Sequence, residues 1–194
     1  MSVQPKSKII TLPNSSLRQA SRKVGLINEQ IIELIQTMTD QANAWDISRE
    51  HEVTVGLAAV QIDELWKVVI IREDFDDHNN QNYIALINPE IVKYEGEIVE
   101  NFEGCLSVKD YYAKVPRYSK VRVKATTVEG QEVRFNADGF LARVVQHEVD
   151  HTKGITIVDR VEDLKNGFRI INDKGEMEPV VLEQVKQSGI LQDE

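Results

Sequence analysis

Cysteine occurs once in this chain, at Cys105. One thiol cannot close an internal disulfide, so a reducing, cytoplasmic setting is expected. Basic residues are also short: 23 Lys and Arg against 32 Asp and Glu leave a formal net charge of -9. That balance argues against gripping DNA or other nucleic acid through a broad basic surface. No apolar run approaches the roughly 20 residues needed to span a bilayer, so no membrane partner is expected. The first ten residues carry lysines but no apolar core of signal-peptide length. Repeats and low-complexity segments are lacking too. What remains is an ordinary globular composition, 41% hydrophobic over 194 residues. A single domain over 1–194 is expected, with a C-terminal hairpin and tail at about 160–194.

The first 23 residues are polar and read as an extended arm. Val24, Ile27, Ile31, Leu34, Met38, Ala42 and Trp45 then recur every three or four positions, which predicts an amphipathic helix. Lys67 to Arg72 is β-rich and reads as a buried strand. Two strands follow, Tyr83 to Asn88 and Ile91 to Val99, broken at Pro89 and around Gly96. Val121, Val123 and Ala125 alternate with polar residues. Glu129-Gly130 makes a turn, and Val133 and Phe135 continue the return strand of a hairpin with one buried face. Near the end come a short strand at Ile155 to Val158, a hairpin turning at Asp173-Lys174-Gly175, and a short helix within Val180 to Lys186. His51 and His78 fall in polar connections and read as solvated.

The most informative stretch is Gln146-His147-Glu148-Val149-Asp150-His151. Its His-Glu-x-x-His spacing puts two imidazoles on one helix face, with Cβ atoms about 5–6 Å apart. Such a pair can grip a metal ion, with the intervening Glu within reach of a bound water. Phe140, Leu141, Val144, Val145 and Val149 give the helix a buried face, and Asp138 is placed to cap its start. The pentad also arises by chance on solvated helices, so the spacing alone leaves both readings open. The element order argues an α+β domain with antiparallel β-sheets packed around this central helix.

Two further motifs accompany the pentad: Gly56-Leu57-Ala58-Ala59-Val60-Gln61 and Glu103-Gly104-Cys105-Leu106-Ser107. In this order and spacing, from about Ile9 to about Val158, the three together resemble the peptide deformylases. Two positions depart from the usual pattern, Thr54 where that family has Gly and Thr152 where it has Leu. The resemblance implies a metal-dependent hydrolase that removes the formyl group from the N-terminal N-formyl-methionine of new polypeptides, releasing formate. A thiolate and two imidazoles suit a borderline-soft divalent ion and leave a fourth position open. The implied ligands are Cys105, His147 and His151. The implied ion is Fe(II), with Zn(II) or Ni(II) as substitutes. Glu148 becomes the general base; the Gln61 amide and the Leu106 N–H become donors to the oxyanion. Val55 and Gly56 would lie alongside the peptide, which adds a strand there. Phe140 and Val144 would line the methionine pocket, and Glu103 and Gly104 complete the substrate-side loop, with Glu103 paired to Arg117. Thr54 would stiffen its segment at the mouth of that pocket.

Two other functions compete. A zinc peptidase of the His-Glu-x-x-His type would draw a third ligand from Asp159 or Glu162 and leave Cys105 idle. A catalytically silent deformylase-like protein would only bind peptide amino termini. The expected partner is an N-formylated peptide. Any transient ribosome contact would lack a basic anchor, because the tail carries Glu176, Glu178, Glu183, Asp193 and Glu194 against Lys186.

Overall fold

The structure is a computed structural model that describes residues 9–48, 53–77, 80–172 and 175–191. His51, His78 and the Asp173-Lys174 turn lie outside them. The arm is not simply extended. Ser15–Arg18 forms a 3-10 turn capped by the Asn14 side chain, and Leu17 is fully buried. Three backbone bonds tie the arm to what becomes the site. Ile10 donates to the Gln61 carbonyl (2.8 Å), Leu12 to that of Ser107 (2.9 Å), and Ser21 to that of Thr152 (2.9 Å).

Helix α1 spans Glu29–Ser48. Ile31, Leu34, Met38, Ala42 and Trp45 form its buried stripe, as the period predicts. Val24 and Ile27 precede the helix instead of starting it. Asn28 accepts the Ile31 N–H at 3.2 Å and so caps the first turn, and Asn88 clamps Val24 through both of its backbone groups.

The strands are β1 (Gly56–Ala58), β2 (Val68–Arg72), β3 (Tyr83–Gly104), β4 (Tyr111–Thr126) and β5 (Glu132–Asp138). Helix α2 (Gly139–His151) follows, then a 3-10 turn at Ile157–Arg160. Strands β6 (Phe168–Ile171) and β7 (Met177–Pro179) and helix α3 (Leu182–Gln187) complete the chain. All pairings between these strands are antiparallel, in the order β1-β2-β3-β4-β6-β7, with β5 also on β4. The fold is therefore α+β, a curled antiparallel sheet packed against α2.

β2 explains why this works without amphipathic strands at the centre. Val68 and Ile70 pack with Leu57 against the stripe of α1, while Val69 and Ile71 pack with Ala58 against Val145 and Val149 of α2. A strand covered on both faces reads as a continuous apolar run.

Three further expectations are corrected. Tyr83 to Gly104 is one strand, because the Pro89 and Gly96 positions are absorbed as register shifts. Asn88 and Gly96 take the positive φ these irregularities need, 53° and 76°. Ile155 to Val158 is not a strand: Asp159 accepts hydrogen bonds from both the N–H and the hydroxyl of Thr156 and closes a helical turn there. Asp138 stands at the start of α2, but its side chain makes no cap bond and pairs instead with Lys120 at 3.3 Å.

Candidate active site

The pentad lies at the C-terminal end of α2, and the loop between β3 and β4 carries Cys105. Cys105 Sγ is 3.3 Å from His151 Nε2, which is 3.2 Å from His147 Nε2. All three ligand atoms lie within 4.8 Å of one another. Metal–nitrogen bonds near 2.05 Å in a tetrahedron imply ligand-to-ligand edges of about 3.3 Å, so the donor set fits a divalent ion. Asp159 is occupied elsewhere, by Arg18 and Thr156. Among the described residues, the group gathered around the histidine pair is completed by the cysteine.

The histidines are oriented from behind. His147 Nδ1 donates to Glu103 Oε2 at 3.0 Å, which leaves Nε2 turned toward the other ligands. Glu103 is itself held by two bonds from Arg117 (3.0 Å each) and one from Arg143 (2.6 Å). Arg117 continues to Asp150, and Asp150 to Arg160. The expected Glu103–Arg117 pair is present as part of this larger buried chain. Arg143, Asp150 and Arg160 were not anticipated. A sign of it was there: Arg143 sits between Ala142 and Val144 on a buried face, where a charge survives only if paired.

Burial works against the ionised form of Glu103, yet the bonds from His147 and Arg117 outweigh it and hold the carboxyl well below its ordinary range. Burial also opposes a charged His147, but Cys105 and Glu103 raise it well above the usual imidazole value. His151, desolvated and facing His147, is driven well below it. Holding a cation takes the thiolate and two neutral imidazoles, so the ion competes with protons for these groups.

Glu148 is buried, and its Oε2 has no hydrogen-bond partner among the described residues. Desolvation pushes its carboxyl up to about 7, the range of a group that exchanges protons at neutral pH. A Cβ on Gly56 would come within 2.5 Å of Glu148 Oε1. Gly56 is therefore required by the carboxylate of α2, a reason beyond the approach of a peptide.

Gln61 is buried in the 3-10 turn after β1. Its Oε1 accepts the Ala58 N–H at 2.8 Å; its Nε2 donates to Ser107 at 3.2 Å and lies 3.8 Å from Cys105 Sγ. The Ala58 N–H, which can only donate, thereby sets which end of the amide faces the cysteine, and Ser107 of the cysteine motif steadies that end. A cavity of about 300 Å³ opens onto Glu148 and His147. Val55, Gly56, Gln61, Glu103, Gly104, Cys105, Leu106, Phe140 and Val144 all line it, so the structure brings the expected site residues together. His151 lies behind them, fully buried. Thr54 also lines the cavity, but its hydroxyl turns to the Ala42 carbonyl of α1 (3.4 Å) and the residue is only 1% exposed. The side chain does not guard a pocket mouth. Thr152 likewise turns inward and donates to the Val149 carbonyl at 2.8 Å.

Comparison with known proteins bears on this geometry. The family model "Polypeptide deformylase" matches residues 6–167. A peptide deformylase of Thermomicrobium roseum is 39% identical over 171 residues, covering 87% of this chain and 92% of that protein. One from Brachyspira hyodysenteriae is 38% identical over 157 residues, 80% of each. The crystal structure of a peptide deformylase from Synechococcus elongatus in complex with actinonin superposes with a TM-score of 0.72 at 32% identity, covering 84% of this chain and 82% of that one.

Proposed function

This chain belongs to the peptide deformylase family, and on that premise we propose how its residues divide the hydrolysis of a formyl group from the amino terminus of a peptide. The observation that carries the assignment is the meeting of Cys105, His147 and His151 beside the buried Glu148, whose Oε2 has no partner among the described residues. Cys105, His147 and His151 would hold one divalent ion, Fe(II) in the physiological state, with Zn(II) or Ni(II) as substitutes. When bound, that ion supplies Lewis acidity and makes hydroxide available near neutral pH.

The chain's own groups do the rest. Glu148 takes a proton from the attacking water as its oxygen bonds to the formyl carbon. The Gln61 amide and the Leu106 N–H donate to the oxyanion that forms. When the C–N bond breaks, Glu148 returns the proton to the leaving amine, giving formate and a free amino terminus. Val55 and Gly56 form the edge along which the peptide lies; Phe140 and Val144 meet the methionine side chain; Glu103 and Gly104 shape the facing loop. The substrate is an N-formylated peptide, with N-formyl-methionine leading a new polypeptide as the specific case, and the working compartment is the cytoplasm. We take residues 1–194 as one catalytic unit, a reading supported by β6 and α3, which share a core with Leu17 and Ile157. Glu176, Glu178 and Glu183 are exposed on the C-terminal segment and give it no RNA-binding character.

The test is formate release from formyl-Met-Ala peptides beside cleavage of blocked internal peptides. Formate without internal cleavage is expected. Internal cleavage would favour a peptidase, and binding of formyl peptides without turnover a silent binding protein.

A further inference from the structure

Arg72 heads the fully buried side chains in size, and none of the chemistry above uses it. A buried guanidinium is costly unless well paired, so its partners show what it is for. It ends β2 on the face of Val68 and Ile70, toward α1. Nε donates to the Thr54 carbonyl at 2.8 Å. The guanidinium also donates to the Asp46 carboxylate, to the Asn80 carbonyl, and to the Tyr83 hydroxyl at 3.1 Å.

These partners converge again on Thr54. The second Asp46 oxygen accepts the Thr54 N–H at 2.7 Å, and the Tyr83 hydroxyl donates to the Thr54 carbonyl at 3.1 Å. Burial and the Asp46 charge push the Tyr83 phenol up to about 12, so it remains a donor at neutral pH. The Arg72 N–H itself donates to the Val55 carbonyl at 2.9 Å. The backbone at Thr54 and Val55 is thus fastened at three successive peptide groups by residues that do not line the cavity. Val55 and Gly56, which follow, line the cavity. β1 has β2 along one side and, among the described residues, no strand along the other.

We propose that Arg72, together with Asp46 and Tyr83, is a positioning group for the substrate-binding edge: it holds Thr54–Val55 extended, so that β1 meets the peptide as a preformed strand. The inference rests on the deformylase reading and adds to it a residue set that touches no substrate atom. A strand held ready lowers the ordering cost of binding a longer peptide. It has little to offer a substrate without peptide groups beyond the methionine.

The test compares Arg72→Lys with the parent as full-length, metal-loaded protein, on formyl-methionine and on formyl-Met-Ala-Ser. Lys keeps the charge but loses the fork that spans four partners. The KM for formyl-Met-Ala-Ser should rise about fivefold or more, the equivalent of one peptide hydrogen bond. The kcat for both substrates, and the KM for formyl-methionine, should stay within about twofold, the signature of lost uniform binding. If Arg72→Lys does not fold, Asp46→Asn and Tyr83→Phe carry the test, with the same direction and a smaller rise. A loss of kcat shared equally by both substrates, or an unchanged KM ratio in every folded variant, overturns the proposal. A parent that releases no formate from either substrate overturns the deformylase reading itself, and the inference with it.

Discussion

Helices α1 and α2 cover opposite faces of β1 and β2, yet they bury different chemistry. α1 sets Ile31, Leu34, Met38, Ala42 and Trp45 against the strands and turns most of its polar residues outward, with the buried Gln41 and the Arg72-paired Asp46 as exceptions. α2 buries Arg143, Gln146, Glu148, Asp150 and His151 beside its valines. An apolar stripe is stabilised by removal from water and tolerates substitutions that keep its volume. A buried set of charges is stable only while each member keeps its partner. One helix is packing; the other is packing made to hold a reactive site.

The sharpest way to break that contrast is at the ligands. His147→Ala should leave the protein without stoichiometric metal and without measurable turnover, read by elemental analysis beside formate release. A fully loaded, active His147→Ala protein would take the imidazole out of the site.

Glu103→Gln strikes behind the ligands. It leaves Arg117 and Arg143 facing a neutral amide in a buried position, so stability should fall by roughly 3–5 kcal/mol. His147 loses the carboxylate that orients it, and metal affinity should fall by about 10- to 100-fold. Denaturant unfolding and metal titration would read these separately. An intact metal affinity would show that Glu103 serves the fold alone.

The matching change on α1 is Met38→Ala, at a fully buried position. It should cost about 2–5 kcal/mol of stability. The kcat of the folded protein and its metal content should not move. A fall in kcat at full metal occupancy would mean that α1 is coupled to the chemistry after all.

Thr54→Gly should have the smallest effect. It removes the hydroxyl bond to α1 but keeps the backbone bonds at residue 54, so about 1 kcal/mol of stability is at stake. Preferences among formyl-peptides varied at their first two residues should be unchanged. A relaxed preference would restore the expectation that this side chain faces the peptide.

The same contrast explains what was legible in the sequence. The stripe of α1 could be counted from its period, but Val24 and Ile27 continue that period into the preceding loop. Asn28 caps the first turn after them, and the distant Asn88 holds Val24 in the loop. The ligands on α2 were legible because three motifs of unlike chemistry occur together in order. Their supports were not. The partners of Arg143, Asp150 and Arg160 could not be named from the sequence, since they lie up to 44 residues away in the chain. Pro89 and Gly96 read as strand ends because local propensity cannot tell a bulge from a break; the long pairing of β3 with β4 decides it.

The claim that the buried polar groups of α2 perform the reaction is tested most directly by Glu148→Gln, with metal content and formate release measured on the same preparation. The amide fills the same space but cannot accept the proton of water. The variant should keep one divalent ion per chain and lose at least about a hundredfold in kcat. A near-normal kcat with the ion bound would contradict the account.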